Sequence, residues 1–199
     1  MVMEEKRVEI IPHRSQVPSP LLVDHLHRLP RGRALDIASG YGRNAFYLAE
    51  QGYEVEGVDC DEEAVAFCNR EAERRRLAFE ARRVDLEKAP FSLGKGYVLI
   101  SCFYYLDRKI IRDMKAALRI GGVIVYETFL IDQHQRFGKP SKAEFCWEHN
   151  ELLRSFNGFR ILHYFEGMSF PHAASDADPT EGGMKEGRWV AQLIAERVT

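Results

Sequence analysis

From Ala34 onward, short apolar runs alternate with amphipathic stretches, a pattern that predicts βαβ units and a parallel sheet. "RALDIAS" reads as a strand, "RNAFYLAEQG" as a helix stopped by Gly52, and "YEVEGVD" as a strand with alternating faces. "DEEAVAFCNREAERRRL" reads as a long helix with acids in its first turn, where they complement the helix dipole. "FEARRVD" and "YVLISC" follow as strands, "DRKIIRDMKAALRI" as a helix ended by Gly121 and Gly122, and "VIVYETF" as a fifth strand. Right-handed crossovers would point all five strands one way. Upstream, "SPLLVDHLHRLP" offers Ser19 as an N-cap, Pro20 in the first turn, and Leu22, His25, Leu26 and Leu29 on one face before Pro30. This predicts a short covering helix.

Beyond Phe129 the rhythm changes. "LIDQHQRFGKPSKAEFCWEHN" is polar and long enough for a functional loop or cap. A helix, "NELLRSF", leads through "NG" to two strand-like runs, "FRILHYFEG" and "RWVAQLIAERV", which suit an antiparallel hairpin at a sheet edge. The segment between them, "MSFPHAASDADPTEGGMKEG", carries the Gly, Pro and Asp of a mobile connection.

Composition narrows the class. With 199 residues, 45% of them hydrophobic, the chain suits one globular domain. A net charge of −2 gives no uniform attraction to nucleic acid or an anionic membrane. The charged start, "MVMEEKRVEIIPHRSQ", lacks a signal peptide's apolar core, and no apolar run approaches the ~20 residues of a membrane span, so the expected compartment is cytoplasmic. Cys60, Cys68, Cys102 and Cys146 are dispersed without a C-x-x-C pair, which argues for free thiols and against a metal site.

The chemistry gathers where strands end. Gly40, Gly42 and Ala45, with Asp59 further on, satisfy the spacing of a dinucleotide-binding turn. Asp36, four residues before Gly40, argues otherwise. A pyrophosphate at that turn is held by helix-end N–H groups, and a nearby carboxylate opposes it. S-adenosylmethionine carries an ammonium and a sulfonium but no phosphate, and carboxylates attract both. Asp36, Asp59 and Asp85 all fall near successive strand ends, where open parallel sheets bind ligands. Singly, Asp59 or Asp85 is as readily a helix or turn cap; the combination carries the argument.

"LDIASGYGRN", "GVDCDEEAV", "RVDLE" and "LRIGGVIVYETF" resemble the class I S-adenosylmethionine-dependent methyltransferases over most of Ala34 to Phe129. "GRNAFYLA", and "ETF" followed by "RFGKPSKAEF", are most similar to the small tellurite-resistance-like subgroup. The resemblance implies an α/β fold, a Rossmann-like doubly wound seven-stranded sheet of order 3-2-1-4-5-7-6 with the last strand antiparallel. Residues 1–32 would be a leader and covering helix, 33–129 the cofactor-binding core, and 130–199 the acceptor side, all in one domain. Ala38 stands where the family pattern D-x-G-x-G-x-G has its first glycine. Carried over by position, Asp36 would organise the turn and the cofactor's amino group, and Gly40 and Gly42 would admit its close approach. Asp59 would accept from the ribose hydroxyls, Cys60 would line the adenine, and Asp85 would accept from the adenine amino group beside the Leu86 backbone. Ser101, Cys102 and Phe103 would border the methionine part.

A methyl acceptor would enter over the fourth and fifth strands, near Tyr104, Tyr105, Glu127 and Phe129, with His134 and Arg136 in the loop beyond. Glu127 suits a base, an anchor for a cation or a salt bridge; His134 suits a base or a solvated surface residue. The tyrosines suit packing and cofactor coverage. "ERRRLAFEARR" reads as a solvated face rather than a phosphate-binding one, and His25 and His27 diverge on a helix, which disfavours a metal site. "HRSQVPSP" suits either a lid or a leader. The expected activity is methyl transfer from S-adenosylmethionine to a small molecule, a thiol or other soft anion. The rivals are an NAD(P)-dependent oxidoreductase, a non-catalytic S-adenosylmethionine-binding module and an RNA-modifying enzyme.

Overall fold

The computed structural model describes residues 16–88, 91–170 and 187–199. The first leader residues and most of the connection after Phe170 lie outside that set, as does the lid reading of "HRSQVPSP" for residues 13–15. The covering helix α1 (Pro20–His25) runs on as a 3-10 turn, Leu26–Arg28. Next come β1 (Arg33–Ile37), α2 (Arg43–Glu50), β2 (Glu54–Asp59), α3 (Glu62–Arg75), β3 (Phe79–Arg83) and β4 (Tyr97–Phe103). After a 3-10 turn at Arg108–Ile110, the chain forms α4 (Ile111–Ala117), β5 (Leu118–Phe129), α5 (Ile131–Phe137), α6 (Glu151–Ser155), β6 (Phe159–Ser169) and β7 (Arg188–Arg197).

The sheet order is β3-β2-β1-β4-β5-β7-β6, and β1 to β5 pair in parallel. β7 runs antiparallel to both its neighbours, so the terminal pair closes the sheet in the expected sense. β4, central and buried at every position, has no polar face to offer solvent. One apolar layer packs beneath α1, α2 and α3 through Leu22, Phe46, Phe67 and Val125. The other packs beneath α4 and α6 through Ile100, Met114, Tyr126, Trp147 and Phe156. Among the described residues, no helix is long and apolar enough to cross a membrane.

Two elements differ from the sequence reading. The helix expected to continue to Ile120 ends at Ala117, and β5 begins before the glycines. Leu118 already pairs with Tyr97, and the register then shifts to Leu99 opposite Val123; Gly121, at φ +76°, provides the backbone freedom for that bulge. The polar stretch after Phe129 is partly helical. Ile131 is buried, α5 rests against β5 and β7, and Gly138 ends it in the left-handed region at φ +66°. The Ser19 hydroxyl makes no cap bond, although its amide donates to Asn44 Oδ1 at 2.8 Å and ties α1 to α2.

The bulge gives a direct stability test. A Cβ at Gly122 would stand 2.8 Å from the Arg119 carbonyl oxygen and 3.0 Å from that of Tyr97, both backbone atoms. Gly122→Ala is expected to lower unfolding free energy by about 1–3 kcal/mol, measured by urea denaturation.

Candidate active site

The carboxyl end of β1 and β4 is built around a buried acid. Asp36 and Ser101 are partners in register across β1 and β4, and the Ser101 hydroxyl donates to Asp36 Oδ1 at 2.7 Å. Asp36 is 2% exposed. The Ala45 amide, in the first turn of α2, also donates to it, and Arg43 stands near. Burial nevertheless dominates and pushes the Asp36 carboxyl up to about 7, aided by the charge of Asp59 and resisted by Ser101 and Arg43.

Above Asp36 the chain turns sharply. Ala38 lies in the left-handed region at φ +52°, the conformation a glycine takes without strain. Gly40 and Gly42 take positive φ as well, and a Cβ on Gly42 would come within 2.9 Å of Cys68 Sγ and Phe46. Asp59 ties this turn to the end of β2: its Oδ2 accepts from the Gly40 amide at 2.7 Å and its Oδ1 from the Asp61 amide at 3.0 Å. The capping role belongs to Asp61, whose side chain accepts from the Glu63 and Ala64 amides at the start of α3.

Asp85 lies just past β3, and Val84 donates to the Asp59 carbonyl, so the two acids sit on neighbouring chain ends. Lys88 Nζ, 2.8 Å from Asp85 Oδ2, lowers its pKa, and the Glu87 amide donates to Oδ1. Cys60 is exposed and Leu86 buried. Phe103 packs on the α1–α3 side, the layer that Asp36 and Ser101 also face, whereas Cys102 points into the opposite layer, its thiol directed at the Tyr105 carbonyl. Among the described residues the buried Tyr105 hydroxyl has no hydrogen-bond partner, and the carboxylates of Asp107 and Glu87 act on it. It lies toward the Cys60 end of the crest.

At the ends of β4 and β5 the candidate residues gather round Tyr104, itself at φ +55°. Its ring lies 5.6 Å from the guanidinium carbons of both Arg43 and Arg188 and 5.1 Å from the Phe129 ring. Glu127, 3% exposed, interacts with the Tyr104 hydroxyl and accepts from Gln192 Nε2 at 2.6 Å. Desolvation first, then the Glu127 charge, raises the Tyr104 phenol well above its ordinary range. His134 belongs to α5, where its Nδ1 bonds the Pro140 carbonyl at 2.7 Å, and Arg136 stacks over Trp189.

The structure therefore brings Asp36, Ala38, Gly40, Gly42, Asp59 and Ser101 into one contiguous crest, with Cys60, Asp85 and Leu86 on the adjoining strand ends. Arg43, Arg188, Gln192 and His163 were not singled out from the sequence. For Gln192 the signal existed: it interrupts the buried alternation of Val190 and Ile194. The arginine-rich stretch is a face of ion pairs, Arg74 and Arg75 with Glu71, Arg82 with Glu56 and Arg83 with Glu62.

The chain as a whole is similar to known proteins. The family of the tellurite resistance protein TehB matches residues 6–183. The chain belongs to that family, and its sheet is that of the class I methyltransferases. It is 27% identical over 150 residues to the probable S-adenosyl-L-methionine-dependent methyltransferase TehB of Haemophilus influenzae, covering 72% of this chain and 51% of that protein. The chain thus spans about half the length of the curated relatives it matches. The crystal structure of Haemophilus influenzae TehB superimposes with a TM-score of 0.72 at 25% identity, over 88% of this chain and 61% of that one. Geranyl diphosphate C-methyltransferase from Streptomyces coelicolor A3(2) shares the fold, at TM-score 0.63 and 21% identity, over 89% and 78% of the two chains.

Two stability outcomes follow. An acid whose folded pKa exceeds its unfolded value binds protons better when folded, so Asp36 should cost stability as pH rises from about 4 through 7. Relative to Asp36→Asn, the wild-type protein should lose roughly 2–3 kcal/mol between pH 5 and pH 8 in paired denaturation curves; parallel curves would refute the burial argument. Ala38→Gly should stabilise by up to about 1 kcal/mol, the relieved left-handed strain outweighing the greater freedom of the unfolded chain. Thermal melting measures it.

Proposed function

We propose that this protein is an S-adenosylmethionine-dependent methyltransferase acting on a small anionic or soft acceptor, a thiol or an oxyanion. The observation that carries the cofactor assignment is the crest of Asp36, Asp59 and Asp85 around a turn whose glycines leave room for close approach. Membership of the TehB family and the curated methyltransferase relatives support it. The residues fit the cofactor chemically. Asp59 keeps lone pairs for ribose hydroxyls beside its two amide bonds, Asp85 and the Leu86 backbone flank the adenine with Cys60, and the unmet Tyr105 hydroxyl offers one more polar contact. Asp36 lies beneath the amino group, whose charge would favour the ionised carboxyl, while Ala38, Ser101 and Phe103 shape the methionine end; Cys102, expected there, faces the opposite layer.

S-adenosylmethionine supplies, when bound, a methyl carbon already activated by its sulfonium. The chain's own part is to align the acceptor and exclude water, where orientation is worth several kcal/mol, up to roughly 7–11. Arg43 and Arg188, bracketing Tyr104, favour an anionic acceptor over a cationic one. Glu127 then acts as the hydrogen-bond anchor of Tyr104 rather than as a base. The family's name, tellurite resistance, agrees with a soft oxyanion.

S-adenosylmethionine at ~100 times its dissociation constant should stabilise the protein by about 2.7 kcal/mol in a melting assay, while NAD(P) should not. Stabilisation by NAD(P) alone would replace the assignment with the oxidoreductase reading. With labelled methyl donor and tellurite, selenite, 2-mercaptoethanol, an amine or RNA as acceptor, transfer should favour the anions and the thiol. Arg188→Leu should raise the KM for the anion about tenfold and leave the cofactor's thermal shift intact. Transfer to RNA alone would overturn the small-acceptor reading.

A further inference from the structure

Glu127 occupies the inward phase of β5, in line with buried Val123 and Val125. It stands in register with Gln192 of β7, and Gln192 with Phe165 of β6. Gln192 Oε1 lies 3.2 Å from His163 Nε2, while its Nε2 reaches Glu127. His163 reaches this line because β6 carries a bulge: Ile161 pairs with Ala195 and His163 with Ile194, leaving Leu162 as the extra residue. The His25 ring packs against His163 with centroids 4.8 Å apart.

Chemistry fixes the direction of every bond in this line. A carboxylate only accepts, so the amide nitrogen of Gln192 must face Glu127 and its carbonyl must face His163. His163 must then carry a proton on Nε2. The Tyr104 amide donates to the Glu127 carbonyl at 2.8 Å, which sets the two residues side by side, and a carboxylate there can only accept from the Tyr104 hydroxyl, so the phenol oxygen's lone pairs face away from it.

We propose that Gln192 and His163 are positioning residues: they hold the Glu127 carboxylate so that it orients the Tyr104 hydroxyl between Arg43 and Arg188, its lone pairs offered to the S–H or O–H of an acceptor. The consequence for turnover rests on the methyltransferase reading; the hydrogen-bond line itself does not. Removing either residue frees Glu127 to rotate and uncouples Tyr104. The phenol is the reporter.

The test uses the full chain with tyrosine labelled by carbon-13 at Cζ, the Tyr104 resonance being identified through Tyr104→Phe. His163→Leu and Gln192→Met should each shift that resonance, and His163→Gln, which restores an N–H at similar reach, should return it. In methyl transfer to tellurite or 2-mercaptoethanol, the first two variants should lose about tenfold in kcat with the KM for S-adenosylmethionine unchanged, and His163→Gln should recover most of it. An unmoved Tyr104 resonance in both His163→Leu and Gln192→Met overturns the proposal, as does His163→Gln behaving like His163→Leu. Should one of the two variants fail to fold, the other carries the same readouts. Failure of the wild-type protein to bind S-adenosylmethionine by calorimetry would remove the methyltransferase reading alone, and the resonance would still decide the positioning claim.

Discussion

A carboxyl group sealed between two strands organises this molecule. Asp36 sits where β1 ends, bonded by Ser101 from the neighbouring strand and by the first turn of α2. Burying an acid without a full counter-charge is unfavourable, and the raised Asp36 pKa records that cost. What keeps it there is the packing on either side: β1 is buried from Ala34 to Ile37, β4 at every position, and α2 presents Ala45, Phe46 and Leu48 to the same layer. The acid thus lies under the glycine turn with its charged form disfavoured, and a positively charged ligand above it would favour ionisation and relieve the penalty.

The same logic separates a cationic ligand from a dinucleotide. Gly40, Gly42 and Ala45 meet the spacing for either, and the N-terminus of α2 would receive a phosphate. Asp36 accepts the Ala45 amide of that first turn, and Asp59 holds the Gly40 amide. Donors that would cradle a pyrophosphate are therefore engaged by carboxylates, whose charge repels it.

At the ends of β4 and β5, the two faces of the sheet carry different groups. Tyr126 and Cys102 look into the α4–α6 layer and meet the Tyr105 carbonyl, a packing arrangement. Glu127, Gln192 and His163 lie on the other face and form a polar line ending at Tyr104. Two guanidiniums thus lie beside one phenol, with the Glu127 side chain buried next to it. His134, bonded to the turn after α5, and Arg136, stacked on Trp189, serve the local structure in this arrangement.

The strand order, the run of five parallel strands and the antiparallel terminal pair were legible from apolar periodicity together with the motifs of the resemblance, because burial on a sheet imposes its period on neighbouring residues. So was the gathering of Asp36, Asp59 and Asp85 at one edge, since parallel strands place all their carboxyl ends together. Local pattern misjudged the start of β5, where pairing of Leu118 with Tyr97 overrides helix propensity, and it read α5 as a loop because its buried positions, Ile131 and Gln133, are few. Tertiary structure alone decided which acid is buried and which capped, that Ala38 adopts a glycine's conformation, and that Arg43 and Arg188 meet over one ring. Such pairings join residues as far apart as Tyr104 and Arg188, and no short-range rule of spacing connects positions that only the closed sheet brings within a few ångströms.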